Sequence, residues 1–196
     1  MQLNEGVAPL QALSYPEPVE TPEEAQGEVA APRVAAEGEP RWLDSDERAT
    51  WMSLMSLLIK LPAALDAQLQ RDSGLSHFEY NVLAGLSEMP GGSLRMSVLA
   101  ALADGSLPRL SQVVARLERR GLVRRTPDPD DGRYTLATLT DAGRAVVTEA
   151  APGHVETVRN LVFDPLTKGK ARQLRDICHR ILAALDPGDR CLDHLR

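Results

Sequence analysis

Aromatic residues make up only 4% of this 196-residue chain. Val, Leu and Ala at helical spacing must therefore supply most of the packing. The two cysteines, Cys178 and Cys191, are too few for a disulfide framework. Lysine is nearly missing beside arginine, with Lys60, Lys168 and Lys170 alone, a bias that a GC-rich genome also produces. No unbroken apolar run approaches the roughly 20 residues that span a bilayer; the richest, 54–59, ends at Lys60. The opening MQLNEGVAPL has neither the basic nor the apolar region of a secretory signal. These absences predict a soluble, cytoplasmic protein with no membrane partner. No Gly-rich phosphate loop, nucleophile elbow or carboxylate pair with a supporting base occurs, so no enzyme is expected. His154 follows Pro152-Gly153 and has no evident partner. Cys178-His179 and Cys191-x-x-His194 contain zinc-type ligands, but neighbours on a helix point about 100° apart. Neither a metal site nor a cofactor is expected, and Cys178 reads as a small buried hydrophobe.

What is present is unevenly distributed. The formal net charge is −6, yet residues 1–40 hold eight Glu and one Arg, a net of −7, leaving +1 on the other 156 residues. That first stretch is rich in Pro, Glu, Ala and Gly, which predicts disorder. It reads as a solvated tail, as a DNA charge mimic that folds back on a basic face, or as a partner-binding segment. The opposite charge is concentrated in SLPRLSQVVARLERRGLVRR, residues 106–125, which hold six Arg and one Glu.

Periodicity and punctuation predict the elements. A helix starts near Leu43-Asp44, with Asp44 and Glu47 as a capping box, is kinked by Pro62, and ends at Asp72-Ser73-Gly74. A second box, Ser76-His77-Phe78-Glu79, opens a helix to about Ser87. A very short strand at 94–96, a short helix over 97–103 and the turn Asp104-Gly105 follow. Ser106 caps the next helix, which stops at Gly121. Strands over 122–126 and 133–139 flank the turn-rich Pro127-Asp128-Pro129-Asp130-Asp131-Gly132. Thr140-Asp141 caps a helix that Pro152-Gly153 interrupts, and a last helix covers about 168–185.

Short helix, turn, helix and hairpin make a winged helix-turn-helix, in a mainly α fold with a small β-hairpin wing. On the second helix Leu107, Leu110, Val113, Val114 and Leu117 form the buried stripe, while Pro108, Ser111, Gln112, Ala115, Arg116 and Arg119 face outward with Arg109 at their edge. Arg can pair with guanine, Gln with adenine, and Ser with base or phosphate, which suits a major groove. Arg119, Arg120, Arg124 and Arg125 fall where phosphates would lie. In Asp131-Gly132-Arg133 the Asp can orient the Arg for a minor groove, or the three residues are an ordinary hairpin turn. The competing reading of the basic face is a winged-helix protein-interaction module that binds an acidic partner surface. Apolar rows on the first and last helices exceed what one small winged domain needs. Leu161, Val162, Phe163, Ile177, Ile181, Leu182 and Leu185 are the expected interface of a homodimer.

The run LRMSVLAALADGSLPRLSQVVARLERRGLVRRTPDPDDGRYTLATLTDAGR resembles the DNA-binding core of the MarR (multiple antibiotic resistance regulator) family, and with its flanking helices the resemblance covers about 42–186. Its most specific pieces are Leu94-Arg95-Met96-Ser97, the stretch 116–123, and Leu139-Thr140-x-x-Gly143. The resemblance implies a homodimeric, nucleoid-associated transcription regulator of double-stranded DNA, a repressor by family habit. It implies recognition contacts from Ser106, Pro108, Arg109, Ser111, Gln112 and Arg116, and minor-groove contact from Arg133. It also implies a cleft for a small aromatic or phenolic effector, near which Trp51, His77, Tyr80 and Arg95 are candidates. Asp130 stands where the family's wing commonly has Arg. The expected organisation is an acidic tail (1–40), an N-terminal dimerisation helix (41–75), a DNA-binding domain (76–140), C-terminal dimerisation helices (141–186) and a tail (187–196).

Overall fold

Asp44 accepts the backbone N–H groups of Asp46 and Glu47, and the Glu47 carboxylate returns to the Asp44 N–H. That reciprocal cap starts α1 (Ser45–Ser73), and Gly74 closes it in the left-handed region at φ 64. The computed structural model describes residues 40–103 and 105–185. The expectations for the two tails, Asp104, Cys191 and His194 lie outside the described residues.

Ser76 and Glu79 cap α2 (His77–Glu88) in the same way. A 3-10 turn (Pro90–Gly92) leads to β1 (Ser93–Arg95), then α3 (Met96–Leu102) and α4 (Leu107–Arg119). β2 (Val123–Pro127) and β3 (Thr135–Leu139) form the wing, and α5 (Asp141–Val158), a π-turn (Arg159–Phe163) and α6 (Lys168–Leu185) complete the chain. The sheet is antiparallel in the order β1-β3-β2, with Leu94 opposite Ala137 and Arg125 opposite Ala137. The expected elements are all present, with ends displaced by a residue or two.

The core lies between α2, α3, α4, the sheet and the start of α5. Leu83, Leu86, Leu99, Leu110, Leu117, Val123 and Val147 are fully buried there. Thr140 joins α5 to the turn after α4: its hydroxyl donates to Gly121 O and accepts from Gly143 N–H. Gly143 sits so close to this turn that an added Cβ would collide with the Leu122 carbonyl oxygen.

Four expectations change. Pro152 does not interrupt α5, which continues to Val158 because Ala150 and Ala151 are buried and Gly153 lies beside Gln68 of α1. Packing there outweighs the backbone bond that proline removes. Leu107 leaves the buried stripe, because it lies at the edge of that face and borders the cavity beneath the wing, 49% exposed. Cys178 is exposed rather than buried, since α6 contains no buried residue in the single chain. Finally, α1 is long and apolar enough, by length and composition, to cross a bilayer. Counting unbroken runs hid this, because Lys60 and Pro62 divide the apolar stretch.

Leu65, Gln68 and Leu69 anchor the C-terminal part of α1. Its earlier turns leave Trp51, Met52, Leu57, Leu58 and Ile59 exposed, as are Leu161, Phe163, Ile177, Ile181, Leu182 and Leu185 on the C-terminal helices.

Candidate nucleic-acid interface

Ser106 Oγ accepts the Arg109 N–H at 3.4 Å to begin α4, and Pro108 in the first turn has no N–H to leave unpaired. Leu110, Val113, Val114 and Leu117 bury one side of the helix. At about 100° per residue the opposite side is centred on Pro108, Ala115 and Arg119. The predicted outward set therefore divides into a crest and two flanks. On one flank Arg109, Gln112 and Arg116 line a cavity of about 590 Å³ shared with α1 and α2. On the other, Leu107 and Ser111 line a cavity of about 370 Å³ beneath the wing, with Arg95, Arg133 and Tyr134.

The six arginines of 106–125 have different tasks. Arg119 and Arg124 are exposed and make no ion pair among the described residues. Arg109 lies over the Phe78 ring, 4.3 Å from its centroid. Arg125 forks onto Glu118 at 2.9 and 2.7 Å, and its side chain and backbone N–H groups hold that carboxyl below its ordinary pKa. Arg116 Nε donates to Glu79 Oε1 at 3.3 Å, and Arg120 Nη1 lies 3.8 Å from Glu79 Oε2 while donating to Gly74 O. Arg116 is thus turned from the crest towards α2. Sequence spacing gave no sign of this, because Glu79 is 37 residues away.

The wing tip is held by its carboxylates. Arg133 donates to Asp131 through Nε at 2.9 Å and Nη2 at 2.6 Å, as the sequence suggested, and projects into solvent with 84% of its side chain exposed. That guanidinium lowers the Asp131 pKa. Asp128 is buried; it accepts the Asp130 N–H and, at 2.6 Å, Arg95 Nε, and in that order these bonds depress its pKa. Arg95 also lies 4.5 Å from the Tyr134 ring centroid. It braces the wing and lines the cavity beneath it, away from the cavity that His77 lines.

The other effector candidates are not all brought together. His77 lines the larger cavity. Tyr80 is buried beneath His154, with ring centroids 4.5 Å apart, and His77 lies 5.7 Å from His154. Trp51 is half exposed and about 22 Å along α1 from Asp66, another residue of the cavity wall. His154 does have partners: Gln68 Oε1 at 3.4 Å and these two rings. Burial lowers the pKa of both histidines; Asp66 opposes the shift at His77, and His77 reinforces it at His154. No group of metal ligands occurs among the described residues.

This arrangement presents guanidinium, amide and hydroxyl groups on a projecting helix beside a hairpin tip that carries one exposed guanidinium, Arg133, which suits a polyanion with readable edges. Comparison with known proteins agrees. A model of the MarR family matches residues 73–133. Sco3205 of Streptomyces coelicolor, a MarR family transcriptional regulator solved in complex with DNA, superposes with a TM-score of 0.74 at 44% identity, over 76% of this chain and 94% of that one. CouR of Rhodococcus jostii, solved bound to p-coumaroyl-CoA, superposes with a TM-score of 0.58 at 26% identity, over 70% of this chain and 92% of its own. The transcriptional regulator HosA of Escherichia coli is 34% identical over 38% of this chain, which spans about half of HosA (53%). The chain belongs to the MarR family: it is a winged-helix transcriptional regulator with a DNA-binding fold, not an enzyme.

Proposed function

We propose that the protein is a homodimeric repressor that reads a palindromic operator and releases it when a small aromatic or phenolic ligand binds. The observation that carries this reading is the crest of α4, exposed between the wing and the α1–α2 turn. Residues 76–140 are the DNA-binding unit in this reading. Ser106, Pro108, Arg109, Ser111 and Gln112, on the N-terminal half of α4, reach base edges, and Arg119 and Arg124 meet phosphates. Arg116 shares the helix face but leans on Glu79. Arg133, oriented by Asp131, enters the minor groove. The complex of Sco3205 with DNA supports the choice of partner.

One such helix reads only a few base pairs, so two copies on adjacent turns, about 34 Å apart, are needed for a defined site. The exposed apolar side chains of residues 41–75 and 141–186 supply the surface for pairing. The cavity beside His77, Phe78 and Arg109 would take the effector, as the ligand-bound CouR suggests by analogy. Selection of bound duplexes from a random pool tests the core of the proposal. Enrichment of an inverted repeat with half-site centres one helical turn apart is expected. Recovery of no motif, with tighter capture of an acidic protein surface than of any duplex, would overturn it.

A further inference from the structure

Two of the six arginines between 106 and 125 converge on one carboxylate. Glu79 is 7% exposed and belongs to α2, not to α4. Its Oε2 accepts the Ser76 N–H at 3.0 Å, which caps α2. Its Oε1 accepts Arg116 Nε at 3.3 Å, and its Oε2 lies 3.8 Å from Arg120 Nη1. Arg120 also donates to Gly74 O at the end of α1. One buried anion thereby ties the C-terminal half of α4 to the start of α2 and the end of α1. The arginine side chains keep 47% and 40% of their surface in solvent. They are long enough to leave Glu79 and swing outward, so their orientation is set by this carboxylate and not by lack of room.

We propose that Glu79 is a positioning residue for DNA binding: it holds Arg116 and Arg120 inside the protein's own ion network and so withholds two charges from the phosphate backbone. The inference rests on α4 being the DNA-facing helix. Glu118 holds Arg125 by the same logic, leaving Arg109, which lies over the Phe78 ring, Arg119 and Arg124 as the arginines of this segment free of ion pairs among the described residues. Each arginine that neutralises a phosphate adds about 0.9 to the steepness with which log affinity falls against log salt concentration. The number of engaged arginines is therefore measurable.

The experiment uses the full chain and a labelled duplex of mixed sequence, titrated at several salt concentrations, with thermal melts of each variant. Arg116→Met and Arg120→Met are expected to leave the salt slope unchanged. Glu79→Gln keeps the shape and the Ser76 contact but lacks the charge, and is expected to steepen the slope by about one to two per subunit. Adding Arg116→Met to Glu79→Gln is expected to remove about one of these. A shallower slope for Arg116→Met in the otherwise native protein would place that arginine on phosphate already and overturn the proposal. So would a Glu79→Gln protein with an unchanged slope and only a lower melting temperature, the signature of a purely structural role. If Glu79→Gln does not fold, Arg116→Met and Arg120→Met decide the matter alone. Arg109→Ala, Arg119→Ala and Arg124→Ala separate the two readings. If these also leave the slope unchanged, the DNA-facing assignment of α4 falls together with this inference; if they make it shallower while the Glu79 result fails, the inference falls alone.

Discussion

Arg133 and Gly143 show how much a single position can carry. Arg133 extends from the wing with its guanidinium already forked onto Asp131, so it loses little further conformational freedom on docking. Arg133→Ala is expected to weaken operator binding by about 1–3 kcal/mol with no change in melting temperature. Asp131→Asn, with Arg133 in place, should show only part of that loss, since the amide retains one acceptor for the guanidinium. A gel-shift titration beside a thermal melt checks both, and equal affinity for Arg133→Ala would refute the role. Gly143 tests packing instead. Any Cβ there meets the Leu122 carbonyl, so Gly143→Ala should destabilise the fold by about 1–3 kcal/mol in a urea titration, despite alanine's better helix propensity. A stable Gly143→Ala protein would mean that α5 can shift away from the turn without cost. The glycine itself was visible in the sequence as part of the Leu139-Thr140-x-x-Gly143 pattern. The carbonyl it avoids was not, because Leu122 approaches only through the tertiary path of the chain.

At the scale of elements, the joint between α2 and the helices α1 and α5 is the part that responds to acid. His77 on α2 and His154 on α5 face each other at 5.7 Å, half buried, with Tyr80 beneath and Gln68 and Asp66 of α1 alongside. Gln68 Nε2 is committed to Asp72, so its carbonyl oxygen is left to accept from His154 Nδ1–H. Burial lowers both imidazole pKa values. The unfolded chain therefore takes up protons at a higher pH than the folded one, and stability rises with pH across that interval. Full stability is present above about pH 6.5, the ordinary histidine value, and is lost as pH falls from there through the lower folded values. Glu118, Asp128 and Asp131, whose pKa values are depressed, give up their contribution in a separate window below the ordinary carboxylate range. Urea midpoints between about pH 7.5 and about pH 5 should fall for the native chain and fall less for His154→Asn. A flat native profile would contradict the burial of the pair. Sequence punctuation located these elements well, because caps such as Asp44/Glu47 and Ser76/Glu79 act within one helical turn. It failed at Pro152, where burial of Ala150 and Ala151 overrides the local preference of proline.

For the whole molecule, the decisive surface is the one left uncovered. Leu58 and Ile59 on α1 are 56% and 69% exposed, and Ile177 and Leu185 on α6 are 54% and 75% exposed. In the proposed homodimer these rows are the association surface. A second copy that covered these rows would account for an α6 that buries nothing in its own chain. Ile177→Glu combined with Leu58→Glu should shift the protein to a monomer in sedimentation equilibrium and greatly lower operator affinity, while the far-ultraviolet spectrum of the winged core remains. A dimer that persists in this double variant would place the interface elsewhere.

The amino-acid order alone determined where helices and strands begin and end to within a residue or two, Pro152 apart, which face of α4 is buried, Leu107 apart, and that a winged helix-turn-helix follows. These depend on interactions between residues a few positions apart, such as caps, periodicity and turn chemistry. Only the tertiary structure decided what each arginine does. Arg116 and Arg120 reach back to Glu79, Arg95 crosses to Asp128, and His154 finds Tyr80 and Gln68, all across dozens of residues. A charged side chain selects its partner by distance in space, and those distances exist only once the apolar core has brought α2, α4, α5 and the wing together.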